Sequence, residues 1–177
     1  MKPSFEALLS GGTLRSLGNS GLVLSKIKTQ GDFDALFKCL YHKDRVVVMR
    51  AADIIEKITI LNPQYLPRHK KEIIEFSKTA VDKELKWHIA LLVPRLHFSE
   101  AEFGLVWNTL TEWALDKSNS RIVRVHSMQG LFDMMHEKSE LEFDFRLTLQ
   151  QLDKENIPSL KARIKKIKKQ IENKNIQ

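Results

Sequence analysis

The chain repeats itself at an interval of about 38 residues, and this internal repeat constrains its fold more than any other feature of the sequence. Three segments superpose at this interval, beginning near Arg45, Lys83 and Arg121. Their aligned apolar positions are Met49, Ala52, Ile55 and Ile58, then Trp87, Ala90, Val93 and Leu96, then Val125, Met128, Leu131 and Met134. Self-similarity on this scale is typical of stacked supersecondary units, so we expect a helical repeat architecture.

Local sequence signals predict helices through most of the chain and no β-sheet. Runs of alternating polar and apolar residues bounded by turn residues, which are typical of strands, do not occur. Helix starts are predicted at Ser99 with Glu102 and at Ser139 with Glu142, because each pair has the spacing of a capping box.

Residues 1–30 differ from the rest of the chain because they hold most of its glycines. We expect them to form an N-terminal cap segment on the first repeat, since the terminal units of solenoids serve as caps. This segment is predicted to contain a short helix over 5–10, a glycine-rich loop over 11–21 and a second helix over about 22–28. Arg15 in the loop is a candidate contact for an anion.

Each repeat places an aspartate-containing turn before a helix that carries a basic residue and then small or apolar residues. The segments are KDRVVVMRAADIIEKI, DKELKWHIALLVPRL and DKSNSRIVRVHSMQGLFDMM. This pattern resembles the HEAT-repeat family, and the resemblance implies an all-α fold in which paired antiparallel helices stack into a right-handed α-α superhelix. We expect residues 31–137 to form the repeats and residues 139–177 to form a degenerate terminal helical pair with a basic C-terminal helix. The whole of 1–177 is expected to be a single solenoid domain.

The second helix of each repeat is the predicted binding surface, because second helices line the concave face of stacked helical pairs. A projection at about 100 degrees per residue separates an apolar core side from an opposite arc that favours positive charge. The predicted partner groove consists of Arg45, Arg50, Lys57, Lys83, Trp87, His88, Arg95, Arg121 and His126. Trp87 is the candidate anchor, since tryptophan is enriched at interface hot spots, although core packing is the alternative for this ring. For the arc as a whole, the alternative is an ordinary solvated helix face.

The positive charge of the chain is concentrated in its C-terminal helix. The chain has 29 lysines and arginines against 22 aspartates and glutamates, and residues 159–177 hold seven of the former and one of the latter. This helix is predicted to begin at Pro158 and to dock through an apolar stripe of Leu160, Ile164, Ile167 and Ile171. The candidate phosphate contacts are Lys161, Arg163, Lys165, Lys166, Lys168 and Lys169. A solvated capping face and contact with an acidic protein are alternatives, and a membrane surface is disfavoured because the helix lacks large aromatic residues.

The sequence predicts neither a metal site nor a cofactor. The six histidines include no pair separated by four residues, and Cys39, expected to be a small buried residue, has no second thiol beside it. The glycine-rich loop lacks the Gly-Lys-Ser/Thr ending and the preceding strand of a phosphate-binding loop. The cytoplasm is the expected location, because there is a single cysteine, no signal-peptide pattern and no apolar run of about 18 residues.

The favoured function is a non-enzymatic protein-interaction or adaptor module whose groove binds a protein partner, because the sequence contains no recognisable catalytic constellation. The alternative is a nucleic-acid-binding protein. The family resemblance extends this alternative to HEAT-like DNA glycosylases that repair alkylated bases. Candidate groove residues for that activity are Trp87, Asp53, Arg50, Arg95 and Arg124. No catalytic residue is assigned, and neither a membrane nor a small-molecule cofactor is expected as a partner.

Overall fold

The computed structural model describes residues 4–13, 16 and 18–174, and these residues form α-helices and 3-10 turns but no β-strand. The α-helices are α1 (Phe5–Leu9), α2 (Ser20–Lys26), α3 (Gln30–Lys38), α4 (Arg45–Leu61), α5 (Lys70–Thr79), α6 (Lys83–Leu92), α7 (Glu100–Leu115), α8 (Arg121–Met134), α9 (Glu142–Asp153) and α10 (Pro158–Lys174). The predicted all-α fold of helical repeats is therefore confirmed.

The chain divides into two compact units, Met1–Lys71 and Glu72–Gln177, which we call unit 1 and unit 2. Each unit has its own buried apolar residues and is described by itself. The single solenoid domain expected from the sequence stays a prediction.

Helix α4 is the centre of unit 1, because α1, α2, α3 and the 3-10 turn Cys39–Tyr41 all contact it. Its buried apolar residues are Val47, Val48, Ala51, Ala52, Ile54, Ile55 and Ile58. Asp44 caps the start of α4 by accepting a hydrogen bond from the amide of Val46 at 2.8 Å. The two short helices predicted for the cap segment are present as α1 and α2. Cys39 is buried as expected, and burial raises the pKa of its thiol to about 11.

Arg50 on α4 is buried inside unit 1, where its guanidinium group binds the backbone of the N-terminal loop. Its Nη1 donates hydrogen bonds to the carbonyl oxygens of Leu9 at 2.6 Å and Gly11 at 2.8 Å. Its Nε donates to the carbonyl oxygen of Ser16 at 3.0 Å. Gly18 has a φ of +51°, and a Cβ added there would lie 2.8 Å from Nη1 of Arg50. Glycine at this position therefore meets two requirements, a left-handed backbone and space for the guanidinium group.

Helix α8 is the centre of unit 2, since it contacts α6, α7, α9 and α10. Gly130 lets α6 and α8 approach closely, because a Cβ added there would lie 2.6 Å from the carbonyl oxygen of Ala90. The predicted apolar stripe of α10 is confirmed, because all of its residues are buried. Trp107 and Trp113 on α7 are buried as well. Unit 2 is thus organised around one central helix with its neighbours packed against it.

The repeat interval also relates two basic residues that join successive repeats of unit 2. On α6, Nζ of Lys86 donates a hydrogen bond to Oδ1 of Asn119 at 3.1 Å, in the turn before α8. Arg124 occupies the equivalent position on α8, and its Nη2 donates to Oε1 of Glu155 at 2.6 Å, in the turn before α10. Helices α6 and α8 therefore each bind the turn of the following repeat through the same register position.

One of the two predicted capping boxes is present. Ser99 and Glu102 form a reciprocal capping box at the start of α7. The prediction at Ser139 and Glu142 is wrong, because a 3-10 turn over Ser139–Leu141 precedes α9 and leaves its N-cap without a side-chain hydrogen bond. The Ser-x-x-Glu spacing alone does not distinguish a capped α-helix from a short 3-10 turn that runs into an α-helix.

Candidate functional site

A stripe of part-exposed residues runs along α8, which is otherwise largely buried. It consists of Ile122, Val125, His126, Gln129 and Asp133, and we call it the α8 stripe. These positions recur at helical intervals, so they lie on the same side of the helix. The α8 positions buried between them include Val123, Arg124, Ser127, Met128, Gly130, Leu131 and Phe132. Side chains from α6 and α10 flank the stripe.

An aromatic pair joins the α8 stripe to α6. The rings of Trp87 and His126 are stacked, with centroids 5.2 Å apart and planes inclined by 28°. The Trp87 ring also lies against His88, which is buried. Trp87 is itself half-buried, so part of its ring remains accessible at the surface of unit 2. A tryptophan ring that packs against two histidines and remains partly exposed is well placed to contact a partner.

A hydrogen-bonded network joins the α8 stripe to α10. Nη1 of Arg163 donates to Oε1 of Gln129 at 2.6 Å, and Nε2 of Gln129 donates to Oδ1 of Asp133 at 2.7 Å. Burial raises the pKa of the Asp133 carboxyl, against the opposing effects of the Gln129 hydrogen bond and of the nearby charges on His136, Arg163 and Arg95. Burial disfavours the ionised form of this carboxyl and the arginines partly offset that effect; carboxyl groups whose pKa is perturbed in this way are more frequent at functional sites.

An apolar depression lies at the N-terminal end of the α8 stripe. Its volume is about 470 Å³, and it is lined by Arg121, Ile122, Val125, Pro158 and Ser159. Ile122 is 43 % exposed, which leaves apolar surface open to solvent. The depression is large enough to accept an apolar side chain, and Arg121 is its charged lining residue.

The structure distributes the predicted groove residues over both units. In unit 1, Arg45 and Lys57 are exposed on α4, and Nζ of Lys57 lies 2.6 Å from Oδ2 of Asp53. In unit 2, Lys83 and Arg121 are exposed. Trp87, Arg95 and His126 are half-buried along the stripe or beside it. Of the predicted groove residues in unit 2, His126 therefore lies in the α8 stripe and Trp87 stacks against it.

Two predicted groove residues do not line any open surface. Arg50 is 2 % exposed and His88 is 1 % exposed, so the prediction that they form groove walls is wrong. Arg50 turns toward the N-terminal loop because that loop offers several backbone carbonyl oxygens at hydrogen-bonding distance. His88 lies beneath the Trp87 ring. A helical projection reports the side of a helix but not what a distant loop places against it.

Arg163 belongs to this surface although it was predicted as a phosphate contact. It is half-buried and bonded to Gln129, whereas the five lysines of the predicted phosphate set are exposed. On a helical projection of α10, Arg163 lies on one side of the apolar stripe, while Lys161, Lys165 and Lys168 lie on the other. That separation is readable from the sequence once the two sides of the helix are considered individually.

Two of the arginines considered for DNA repair are buried. Arg50 is bonded to the N-terminal loop, and Arg124 is buried with its Nε donating to the carbonyl oxygen of Ala114 at 2.8 Å. Neither guanidinium is open to a phosphate. Arg15 lies outside the described residues. In the described part of the chain, no group of three or more His, Cys, Asp or Glu side chains is arranged to hold a metal ion.

Comparison with known proteins identifies the family. No described helix is both long and apolar enough to cross a membrane. No curated protein and no solved structure matched the chain. A family model described as a HEAT repeat domain matches residues 20–171, which include every helix from α2 to α9 and most of α10. Together with the 38-residue repeat and the register contacts of Lys86 and Arg124, this match shows that the chain belongs to the HEAT repeat family.

Proposed function

We propose that the chain is a non-enzymatic protein-interaction module in which the α8 stripe of unit 2 binds an acidic segment of a partner protein. HEAT repeats in general serve as protein-interaction modules, which supports the class of function. The observation that carries the proposal is that three features lie along the α8 stripe. They are the apolar depression, the Trp87–His126 pair and the hydrogen bond from Arg163 to Gln129.

The apolar depression supplies an anchoring position. Burying one large side chain of the partner against Ile122, Val125 and Pro158 removes apolar surface of both molecules from water. The half-exposed Trp87 ring offers a second contact of low conformational cost, because only two side-chain torsions must be fixed. In protein interfaces, the largest contributions to the binding free energy typically come from aromatic rings and from side chains buried in such pockets.

The charges around the stripe favour an acidic partner. Arg121 and Arg163 flank the stripe with positive charge, while Asp133 is the only carboxylate of the stripe. Gln129 lies between Arg163 and Asp133 and fixes the arginine through a hydrogen bond at 2.6 Å. An arginine fixed before binding loses less side-chain entropy when it pairs with a carboxylate of the partner. A partner segment with one large apolar residue beside aspartate or glutamate therefore fits this surface.

We include in the same proposal the adaptor role and the cytoplasmic location expected from the sequence. A binding surface of this kind requires no catalytic group, and its polar residues are occupied by hydrogen bonds among themselves. The proposed binding surface therefore includes only those predicted groove residues that lie in unit 2.

The proposal is tested by selecting binders from a phage-displayed library of random peptides with the full chain as bait. We expect the recovered peptides to share one large apolar residue next to Asp or Glu. Ile122→Ser and Arg163→Gln should each weaken the recovered peptides by about tenfold, because each removes one of the proposed contacts.

Matched variants separate this surface from general effects of apolar or charged residues. Phe143→Ser removes an exposed aromatic residue of α9, and Arg146→Gln removes an exposed arginine of the same helix. Both should leave peptide affinity unchanged. Recovery of basic peptides, or equal binding by the Ile122→Ser variant, would overturn the proposal.

A further inference from the structure

We infer that a second surface of unit 2, on α10, binds the phosphate backbone of a nucleic acid duplex. The surface consists of Lys161, Lys165, Lys168 and Lys169, and we call it the lysine face. By helical geometry it lies on the other side of the buried apolar stripe from Arg163. The inference thus rests on residues that the α8 stripe does not use.

The lysine face borders a concavity of about 680 Å³. The concavity is also lined by Asp153, Ile164, Glu172 and Asn173. All four lysines are exposed, and Nζ of Lys168 lies 3.5 Å from Oδ2 of Asp153. Both members of that ion pair are open to solvent, so the interaction is weak and Lys168 can exchange Asp153 for a phosphate group.

Three of the four lysines of the lysine face are unpaired within the described part of the chain, whereas exposed charges on α4 and α9 form ion pairs. Nζ of Lys57 lies 2.6 Å from Asp53 on α4, and Arg146 lies 2.6 Å from Glu142 on α9. On the lysine face, by contrast, Lys161, Lys165 and Lys169 make no ion pair with any described residue.

The spacing of the lysines on α10 is unfavourable for the helix itself, because like charges four residues apart repel each other. Lys161 and Lys165 have this spacing, as do Lys165 and Lys169. A cap that only needs to be solvated is served better by mixed charges. A column of positive charge is instead suited to attract a polyanion.

The dimensions of the face match one strand of a duplex. Lys161 and Lys169 are separated by about 12 Å along the helix axis, at about 1.5 Å per residue. One strand of a duplex presents a phosphate about every 3.4 Å along its axis, so three or four phosphates fall within that length. The four lysines therefore correspond in number and extent to a short run of backbone phosphates.

The chemistry of the face favours a duplex backbone over other polyanions. The residues that line the concavity, all of them in the described chain, include no aromatic ring, so bases of a single strand have nothing on which to stack. Lysine lacks the forked geometry with which arginine reads base edges. The face also has no exposed apolar anchor of the kind that an acidic protein would bury. Contact with phosphates, independent of base sequence, is what these residues can provide.

The inference is tested by fluorescence anisotropy with the full chain and labelled duplexes of about 30 base pairs, between about 50 and 200 mM salt. We expect two duplexes of unrelated sequence to bind alike. Four phosphate contacts predict a slope of about −3 to −4 for log affinity against log salt. The variant with Lys161→Gln, Lys165→Gln, Lys168→Gln and Lys169→Gln should lose at least tenfold in affinity at the lower salt.

A second variant carries Lys43→Gln, Lys71→Gln, Lys78→Gln and Lys117→Gln, which removes the same net charge at exposed positions elsewhere. It should retain binding and most of the salt slope. Lys165→Gln alone should reduce the slope by about one, which provides a test with minimal change to α10. Absence of duplex binding at the lower salt, equal losses in the two fourfold variants, or equally effective competition by polyglutamate would each overturn the inference.

Discussion

Each unit of the molecule buries one arginine of a second helix, but the two arginines are neutralised in different ways. Arg50 in unit 1 and Arg124 in unit 2 are both 2 % exposed. The Arg50 guanidinium donates to backbone carbonyl oxygens and to the hydroxyl of Ser16. Arg124 instead makes a two-pronged contact with the carboxylate of Glu155, at 2.6 and 3.0 Å.

This difference shows how one kind of residue serves two structural tasks in the same fold. Carbonyl oxygens cannot titrate, so the Arg50 cluster ties the N-terminal loop to α4 independently of pH. The carboxylate of Glu155 can titrate, and its hydrogen bonds to Arg124 hold its pKa below the usual value. The link between the repeats of unit 2 is therefore sensitive to acid, whereas the contacts of Arg50 are not.

Replacing Arg50 with Met should have the largest effect on stability. The substitution leaves the carbonyl oxygens of Leu9, Gly11 and Ser16 without their donor, and several lost hydrogen bonds to a charged group amount to about 3 kcal/mol or more. Urea unfolding measures the loss. Arg68→Met is the matched control, because Arg68 is exposed and should cost less than about 0.5 kcal/mol. Equal, small losses in the two variants would show that Arg50 does not organise unit 1.

Gly130→Ala tests the corresponding close approach in unit 2. The added Cβ would meet the carbonyl oxygen of Ala90 at 2.6 Å, so α6 and α8 must separate, with an expected loss of about 2 kcal/mol. Gly104→Ala on α7 is the control, since nothing lies within 4 Å of its added Cβ. Because alanine favours a helix more than glycine does, that variant should gain about 0.5 to 1 kcal/mol. Thermal unfolding that shows no difference between the two variants would contradict the packing of α6 on α8.

Glu155→Gln should remove part of the acid sensitivity of unit 2. The pKa of Glu155 is lowered in the folded protein. Its ionised carboxylate therefore stabilises the fold at a pH above the pKa of the unfolded chain, near 4.5, and this stabilisation is lost as the pH falls through the pKa of the folded protein. We expect the variant to be less stable at pH 7 by about 1 to 2 kcal/mol and to show a flatter decline in acid. Unfolding midpoints between pH 7 and pH 3 provide the measurement. Glu142→Gln, at an exposed ion pair, is the control and should cost less than about 0.5 kcal/mol at pH 7. An unchanged pH profile for Glu155→Gln would remove the proposed contrast with Arg50.

Asp133→Asn should have the smallest effect on stability, with the opposite sign. Burial raises the pKa of Asp133, so the ionised carboxyl opposes folding as the pH rises through that value. At pH 7 the variant should be as stable as the wild type or more stable by about 0.5 kcal/mol, while binding of the selected acidic peptides changes. A clear loss of stability would place Asp133 among the structural residues of unit 2.

The sequence revealed those features that depend on periodicity. The 38-residue interval led to the repeats, and the helical spacing of apolar residues led to the buried stripe of α10. The same interval relates Lys86 to Arg124, although the contacts with the following turns became visible only in the structure. Repetition is readable because each repeat must bury the same side of its helices.

Features that depend on residues distant in sequence could not be read in this way. The burial of Arg50 requires the carbonyl oxygens of Leu9 and Gly11, and no local pattern around Arg50 announces them. The joining of Arg163 to Gln129 likewise depends on how α10 docks on α8. The error at Arg50 arose from treating arginine on a helix as a solvent-facing charge, whereas its five donors allow it to be buried wherever acceptors converge.

The most direct test of the binding surface is the mapping of amide chemical-shift changes in the isotopically labelled full chain when an acidic peptide from the display selection is added. Binding at the α8 stripe predicts that the largest changes occur between Ile122 and Asp133 and at the indole of Trp87. Residues of α4 between Arg45 and Lys57 should remain unchanged. The largest changes on α4, or small changes spread over the whole chain, would contradict the assignment of the binding surface to unit 2.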